Sequence, residues 1–159
     1  MTRSKKYVRE SMTTMTEIVF PNDTNPLNGL MGGKLMHWMD IVSAIVAQKH
    51  CNHVVVTASV DNITFTHPIP VGNVVTLQAQ ITRAFNTSME VYIEVWAEDI
   101  QKGLKYMSNT AFFTFVAIGN DRKPLQVAEV VTENDLEKEL YDGALVRRES
   151  RLAHYRKTL

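Results

Sequence analysis

The 159 residues are 45% hydrophobic, enough for one globular domain with a substantial core of its own. The 17 basic and 17 acidic side chains cancel, which excludes the global positive field of a general nucleic-acid binder and leaves any anionic ligand to a local site. The single cysteine, Cys51, excludes an intrachain disulfide framework and a thiolate-rich metal cage, so a reducing compartment, the cytoplasm, is expected.

Residues 1–11 read as a basic extension carrying Arg3, Lys5, Lys6 and Arg9, and Ser11 to Thr16 supplies no apolar run for a signal peptide. No stretch approaches the roughly twenty apolar residues of a membrane span, so no membrane partner is expected. Met12 to Phe20 alternates loosely and is rich in Thr, Ile and Val, which predicts a first strand that Pro21 ends. Asn22 to Gly29 is crowded with turn formers and predicts a structured loop.

Gly32-Gly33 opens a run from Lys34 to about His50 with no proline. Its apolar residues Leu35, Met36, Trp38, Met39, Ile41, Val42, Ile45 and Val46 go nearly all round a helical wheel, which predicts a buried helix. Val54 to His67, Asn73 to Phe85, Ser88 to Ala97 and Lys105 to Ala117 are β-branched and aromatic-rich and bounded by turn signals, so four strands follow the helix. Their mostly short connections predict a largely antiparallel sheet. Thr132-Glu133-Asn134-Asp135 is a capping signal for an amphipathic surface helix reaching Lys157, with a break expected near Gly143.

The fold class is therefore α+β: residues 12–130 form a single domain in which a curved antiparallel sheet wraps one long central buried helix, and residues 131–159 form a helical extension.

Asp40 lies between Met39 and Ile41 in the middle of the most hydrophobic helix, where an unpaired charge costs several kcal/mol. At about 100° per residue it shares a face with Gly33, Met36, His37, Ser43, Ala44 and Ala47, the smallest and most polar face of that helix. Small residues around a carboxylate leave room for a ligand or a second chain. A structural acid bonded to backbone or to His37 is the competing reading.

Gly32-Gly33 puts unpaired N–H groups and the positive end of the helix dipole at a point without side-chain bulk, where an oxyanion can bind. Gly33 and Asp40 are seven residues apart, roughly 10 Å along an ideal helix. That is too far for both to touch one small reacting centre, so the expectation is a site shared between two subunits. His50 and His53 flank Cys51, but the segment lacks a second ligand pair at metal spacing, and no metal is expected.

The stretches Asp23-Thr24-Asn25 with Gly32-Gly33-Lys34-Leu35-Met36-His37-Trp38-Met39-Asp40, Val55 to Asp61 with Phe65, Pro70-Val71-Gly72-Asn73 and Asn86 to Val91 carry a resemblance. In order and spacing, from roughly Met12 to Pro124, they resemble the cytosolic acyl-CoA hydrolases of the hotdog superfamily. One departure is visible: where related sequences usually have a glycine four residues before the glycine pair, this chain has Asn28, followed by Gly29. Asn tolerates the positive φ such a turn demands.

The resemblance implies hydrolysis of fatty acyl-CoA to fatty acid and CoA. It implies Asp40 and Asn25 as the catalytic pair, and the Gly33 N–H would serve as the oxyanion donor. Gly32, Thr57, Arg83, Asn86, Thr87 and Ser88 fall at positions expected to meet substrate and CoA. No cofactor is implied, since CoA is part of substrate and product. A homo-oligomer, a dimer and further a trimer of dimers, is implied as the working unit. Arg147, Arg148, Arg151, Arg156 and Lys157 form a C-terminal basic cluster that reads either as phosphate contacts or, more commonly, as a solvated helix face. A non-catalytic acyl-CoA-binding hotdog protein is the alternative, but it would have no use for Asp40. A hotdog hydratase would want a histidine such as His37 at its centre, in a motif this chain does not match.

Overall fold

The structure is a computed structural model and describes residues 2–159. In chain order it contains β1 (Lys5–Tyr7), β2 (Thr13–Ile18), α1 (Gly32–Cys51), β3 (Val54–Val60), β4 (Val74–Ala84), β5 (Ser88–Asp99), β6 (Leu104–Ile118), β7 (Glu129–Val131) and α2 (Asp135–Thr158). Strands pair in the order β2-β4-β5-β6-β3, every pair antiparallel, and β1 pairs with β7 in a separate parallel ribbon. The expected hotdog arrangement is therefore present, with α1 lying against the sheet.

Alternation decides which face of the sheet meets α1. Val75, Leu77, Ala79 and Ile81 of β4, Val91, Ile93, Val95 and Ala97 of β5, and Phe113, Phe115 and Ala117 of β6 all point to the core. Leu35, Trp38, Met39, Val42 and Val46 of α1 close it from the other side. Each such large side chain contributes about 1.5–3 kcal/mol by leaving water. A charge at Val42, which is fully buried, would break this contact.

Three expectations are corrected. The helix is not buried all round: Met36, His37 and Ile41 are exposed, because its apolar residues divide between a face on the sheet and a face left open. The strand expected over Val54 to His67 ends at Val60. Beyond it Asp61 N–H still donates to the Phe112 carbonyl, but at Thr64 the Asn109 side chain, not a ladder N–H, meets the carbonyl. The break expected at Gly143 is absent, and α2 runs through it unbroken.

The basic stretch at the N-terminus is tied into the body. Val8 is buried in the core, Lys5–Tyr7 pairs with Glu129–Val131, and Arg3 donates to the carbonyls of Val127 and Phe85. At the other end of α1, Asn52 adopts φ 58° and returns its N–H to the Gln48 carbonyl at 2.7 Å, which stops the helix with an αL cap.

Candidate active site

Asp40 projects from the open side of α1 and is half-buried. Thr57 on β3 donates its Oγ1–H to Asp40 Oδ1 at 2.7 Å. Oδ2 has no hydrogen-bond partner among the described residues, so one carboxylate oxygen is anchored and the other is uncommitted. A carboxylate held in this way is fixed in rotamer yet able to accept a proton. Asp40 is thus not sealed in apolar packing, and its charge is reached from the open face.

The small, polar face read from the wheel splits in two. Gly33, Met36 and His37 stand exposed beside Asp40, whereas Ser43 and Ala47 turn toward the sheet and are fully buried. Ser43 is satisfied by donating to the Met39 carbonyl at 2.6 Å. His37 forms no hydrogen bond with Asp40, so that pairing is absent among the described residues.

The helix start keeps its donors free. Met31 is the N-cap and offers no side-chain bond, and the first amides to find an acceptor are those of Lys34 and Leu35, both on the Met31 carbonyl. The Gly32 and Gly33 N–H groups have no acceptor among the described residues. A Cβ on Gly32 would touch the Phe65 ring at 3.4 Å, while one on Gly33 would meet nothing within 4 Å among the described residues. Lys34 reaches Asp23 at 3.5 Å, so part of its charge is answered locally.

Asn25 spends its carbonyl oxygen on its own loop, accepting from Leu27 N–H at 3.0 Å and Gly29 N–H at 3.1 Å. That leaves Nδ2 as the available end of the amide. Asn28 completes the turn with φ 59°, donates to the Asn25 carbonyl at 3.0 Å and accepts from Val71 N–H at 3.1 Å. The departure seen in the sequence is accommodated, because Asn takes the backbone conformation a glycine would. A bridge between Thr24 and Leu30 closes this loop immediately before α1.

The residues expected at the β4–β5 hairpin lie apart from this centre. Arg83 stacks 4.1 Å above the Tyr141 ring and donates to the Tyr141 carbonyl at 3.3 Å, so α2 occupies it. Asn86 accepts from the Gln126 side chain and from Val127 N–H, and Thr87 accepts from Ala117 N–H. Ser88 opens on a groove of about 900 Å³ between the hairpin, the end of β3 and α2, which Arg148 and His154 also line.

One ionic cluster has no signal in the sequence. Glu90 of β5 is fully buried and accepts from Arg147 Nε and Nη2 (3.1 and 2.8 Å), from Arg151 Nη1 (2.9 Å) and from Thr82 Oγ1 (2.6 Å). Thr82 reaches it because the β4–β5 register slips between Ile81 and Arg83, making Thr82 the extra residue of a bulge. Arg151 Nη1 also bonds Asp61 at 3.0 Å. Burial pushes the Asp61 carboxyl above its usual range, and Arg151 pulls it back. Arg147 and Arg151 thus clamp α2 onto the sheet rather than forming a solvated face, and both also line the groove on which Ser88 opens. Strand alternation alone cannot announce a partner 57 or 61 residues away in the chain.

With this geometry in place, likeness to known proteins narrows the class. The thioesterase superfamily matches residues 27–104. The uncharacterized acyl-CoA thioester hydrolase YkhA of Bacillus subtilis is 38% identical over 150 residues, covering 94% of this chain and 87% of its own. An acyl-CoA hydrolase from Staphylococcus aureus, solved with butyryl coenzyme A, coenzyme A and coenzyme A disulfide, superposes with a TM-score of 0.88. It is 35% identical and covers 97% of this chain and 96% of its own. An apo hexameric acyl-CoA thioesterase superposes with a TM-score of 0.92 at 36% identity, over 96% of this chain and 97% of its own. The chain belongs to the hotdog acyl-CoA thioesterases, a family of thioester hydrolases, as the resemblance in its sequence implied.

Proposed function

We propose that the protein hydrolyses fatty acyl-CoA to free fatty acid and CoA, with Asp40 as general base. The observation that carries this reading is the asymmetric carboxylate: Thr57 fixes Oδ1, and Oδ2 is left to take a proton from water. Water adds to the thioester carbonyl as its proton passes to Asp40. The Gly33 N–H stabilises the oxyanion, and Asn25 Nδ2 orients the carbonyl or the water. The C–S bond then breaks, and the proton on Asp40 goes to the departing CoA sulfur, which restores the carboxylate. Backbone donors aimed at such an oxyanion supply about 2.7–4 kcal/mol.

Substrate contacts at Gly32 and Thr57, and CoA contacts along Arg83, Asn86, Thr87 and Ser88, belong to the same proposal. Ser88 opening on the groove beside Arg148 supports them. The working unit is a homo-oligomer, a dimer assembled further as a trimer of dimers. Support comes from the open face of α1 and from β3, an edge strand whose Val54, Val56 and Val60 are exposed at 67%, 48% and 37%. The roughly 10 Å between Gly33 and Asp40 along one helix favours a centre that joins Asp40 of one subunit to the glycine helix start of another. The proposed setting is the cytoplasm.

A thiol-release assay across acyl-CoAs of increasing chain length tests the activity. Asp40→Ala and Asp40→Asn are expected to lose turnover by about 10²–10⁴-fold with the fold intact. Near-normal hydrolysis in either variant would remove Asp40 from the mechanism. Mixing Asp40→Ala with a Gly33 variant is expected to recover partial activity in heterodimers, and no recovery would argue against a shared centre.

A further inference from the structure

We propose that Arg151, through Asp61, is a positioning residue for Thr57, so that the C-terminal helix sets the geometry of the reacting carboxylate. The inference rests on the reading of Asp40 and Thr57 as the working pair.

Strand β3 is irregular where it matters. Its register against β6 shifts between Thr57, opposite Phe115, and Ser59, opposite Thr114, so Ala58 is the extra residue of a bulge directly beside Thr57. A bulge bends the strand that contains it and re-aims the neighbouring side chains. Its geometry is set by what holds the strand on either side. On the N-terminal side, Val54, Val55 and Val56 are paired with Ile118, Ala117 and Val116. On the C-terminal side, pairing with β6 ends at Val60, and Asp61 is the next fixed point: its N–H donates to Phe112, and its carboxylate is held by Arg151.

Arg151 is itself unusually well fixed. The same Nη1 atom donates to Asp61 Oδ2 at 3.0 Å and to Glu90 Oε2 at 2.9 Å. Glu90 is rigid in turn, fully buried on central strand β5 and held by Arg147 and Thr82. A guanidinium bridging a core carboxylate to the end of an edge strand transfers the rigidity of the core to that edge. Four residues upstream of Asp61, Thr57 holds Asp40. Without the latch, residues 58–61 keep only the Asp61 backbone bond and the last pairs of β3, and the bulge can relax.

The change would fall on turnover more than on binding. Asp61 and Arg151 touch neither Asp40 nor Thr57, while a displacement of about 1 Å at a reacting group can cost as much as 10²-fold. Because a single nitrogen makes both contacts, a lysine at 151 offers an ammonium able to bridge the same two carboxylates. Removing Arg151 leaves Glu90 with Arg147 and Thr82, so the buried acid is not orphaned.

The experiment compares Arg151→Ala, Arg151→Lys and the isosteric Asp61→Asn with the parent and with Asp40→Ala, measuring kcat and KM for a short-chain acyl-CoA and Tm. Arg151→Ala and Asp61→Asn are expected to lose on the order of tenfold in kcat with KM within about twofold. Arg151→Lys should restore most of that loss. If Arg151→Ala proves unstable, Asp61→Asn carries the comparison, since it removes charge without changing volume. A parental kcat in Asp61→Asn, a loss confined to KM, or a lysine variant as slow as the alanine one overturns the inference. If Asp40→Ala also retains parental kcat, the proposed mechanism fails instead, and the two failures are told apart.

Discussion

A methyl group on Gly143 would stand 2.7 Å from Nη1 of Arg147. Glycine in a helix interior ordinarily costs about 1 kcal/mol relative to alanine. Gly143→Ala should therefore stabilise an isolated α2 and yet destabilise this protein. Arg147 cannot swing aside without loosening its bonds to buried Glu90 and to the Leu140 carbonyl. Thermal unfolding is expected to show a loss of about 1–3 kcal/mol, and a raised Tm would contradict the clamp.

Thr57→Val keeps the shape of the side chain and deletes its bond to Asp40. That bond holds Asp40 in its rotamer, and a displacement of about 1 Å at a reacting group can cost as much as 10²-fold, so kcat should fall by about 10- to 100-fold. Thr57 is exposed, and a surface substitution of this kind should leave stability within about 0.5 kcal/mol. Steady-state kinetics beside thermal melts separates the two effects.

Asn28 bears on the same centre through Asn25. Asn28→Gly should leave activity and stability nearly unchanged, since glycine adopts φ 59° freely. Asn28→Ala keeps a Cβ in the left-handed region but loses the short polar side chain that lets Asn visit it, at a cost of up to about 1–2 kcal/mol. It should also slow turnover by disturbing the turn that orients the Asn25 amide. Equal behaviour of the two variants would show that the backbone conformation at this position is irrelevant.

His50 gives a pH-dependent term of defined sign. Its Nε2 lies 2.8 Å from the Ala128 carbonyl, which only accepts, so Nε2 carries the proton, and buried Nδ1 has no partner among the described residues. Burial lowers its pKa from 6.5, partly countered by that backbone bond. Below pH 6.5 the unfolded chain therefore binds a proton that the folded one does not, and stability falls as pH drops from 6.5 toward the lowered value. His50→Gln, which keeps a donor for Ala128, should show a smaller decline in Tm between about pH 7 and 5. Parallel curves for parent and variant would exclude His50 as the source.

The elements on which the site is built were legible because their signals are local. β-branched and aromatic-rich runs bounded by turn signals exposed β4, β5 and β6, the capping residues before Asp135 announced α2, and Asp40 stood out by its apolar neighbours. Thr57 was found only through the resemblance, since nothing in Val54 to Val60 says that its hydroxyl meets α1. The open face of α1 was hidden because Met36 and Ile41 look as apolar as Val42, and hydrophobicity does not distinguish a core from an exposed apolar face. Glu90 was missed for the opposite reason: its arginines lie far away in sequence, so an acid at a strand position carries no mark of its burial. The arginines of α2 read as a polar face because charge alone does not reveal a buried acid waiting beneath them.

Gly33 has open space where its side chain would be, in a helix that alanine would favour by up to about 1 kcal/mol. Steric exclusion inside the subunit therefore gives no reason for the missing methyl. A Gly33→Ala protein should fold at least as well as the parent, so any activity it loses reports on room required by something outside the chain. That separation of folding from fit makes this one position a gauge of how closely the proposed thioester or a second subunit approaches the helix.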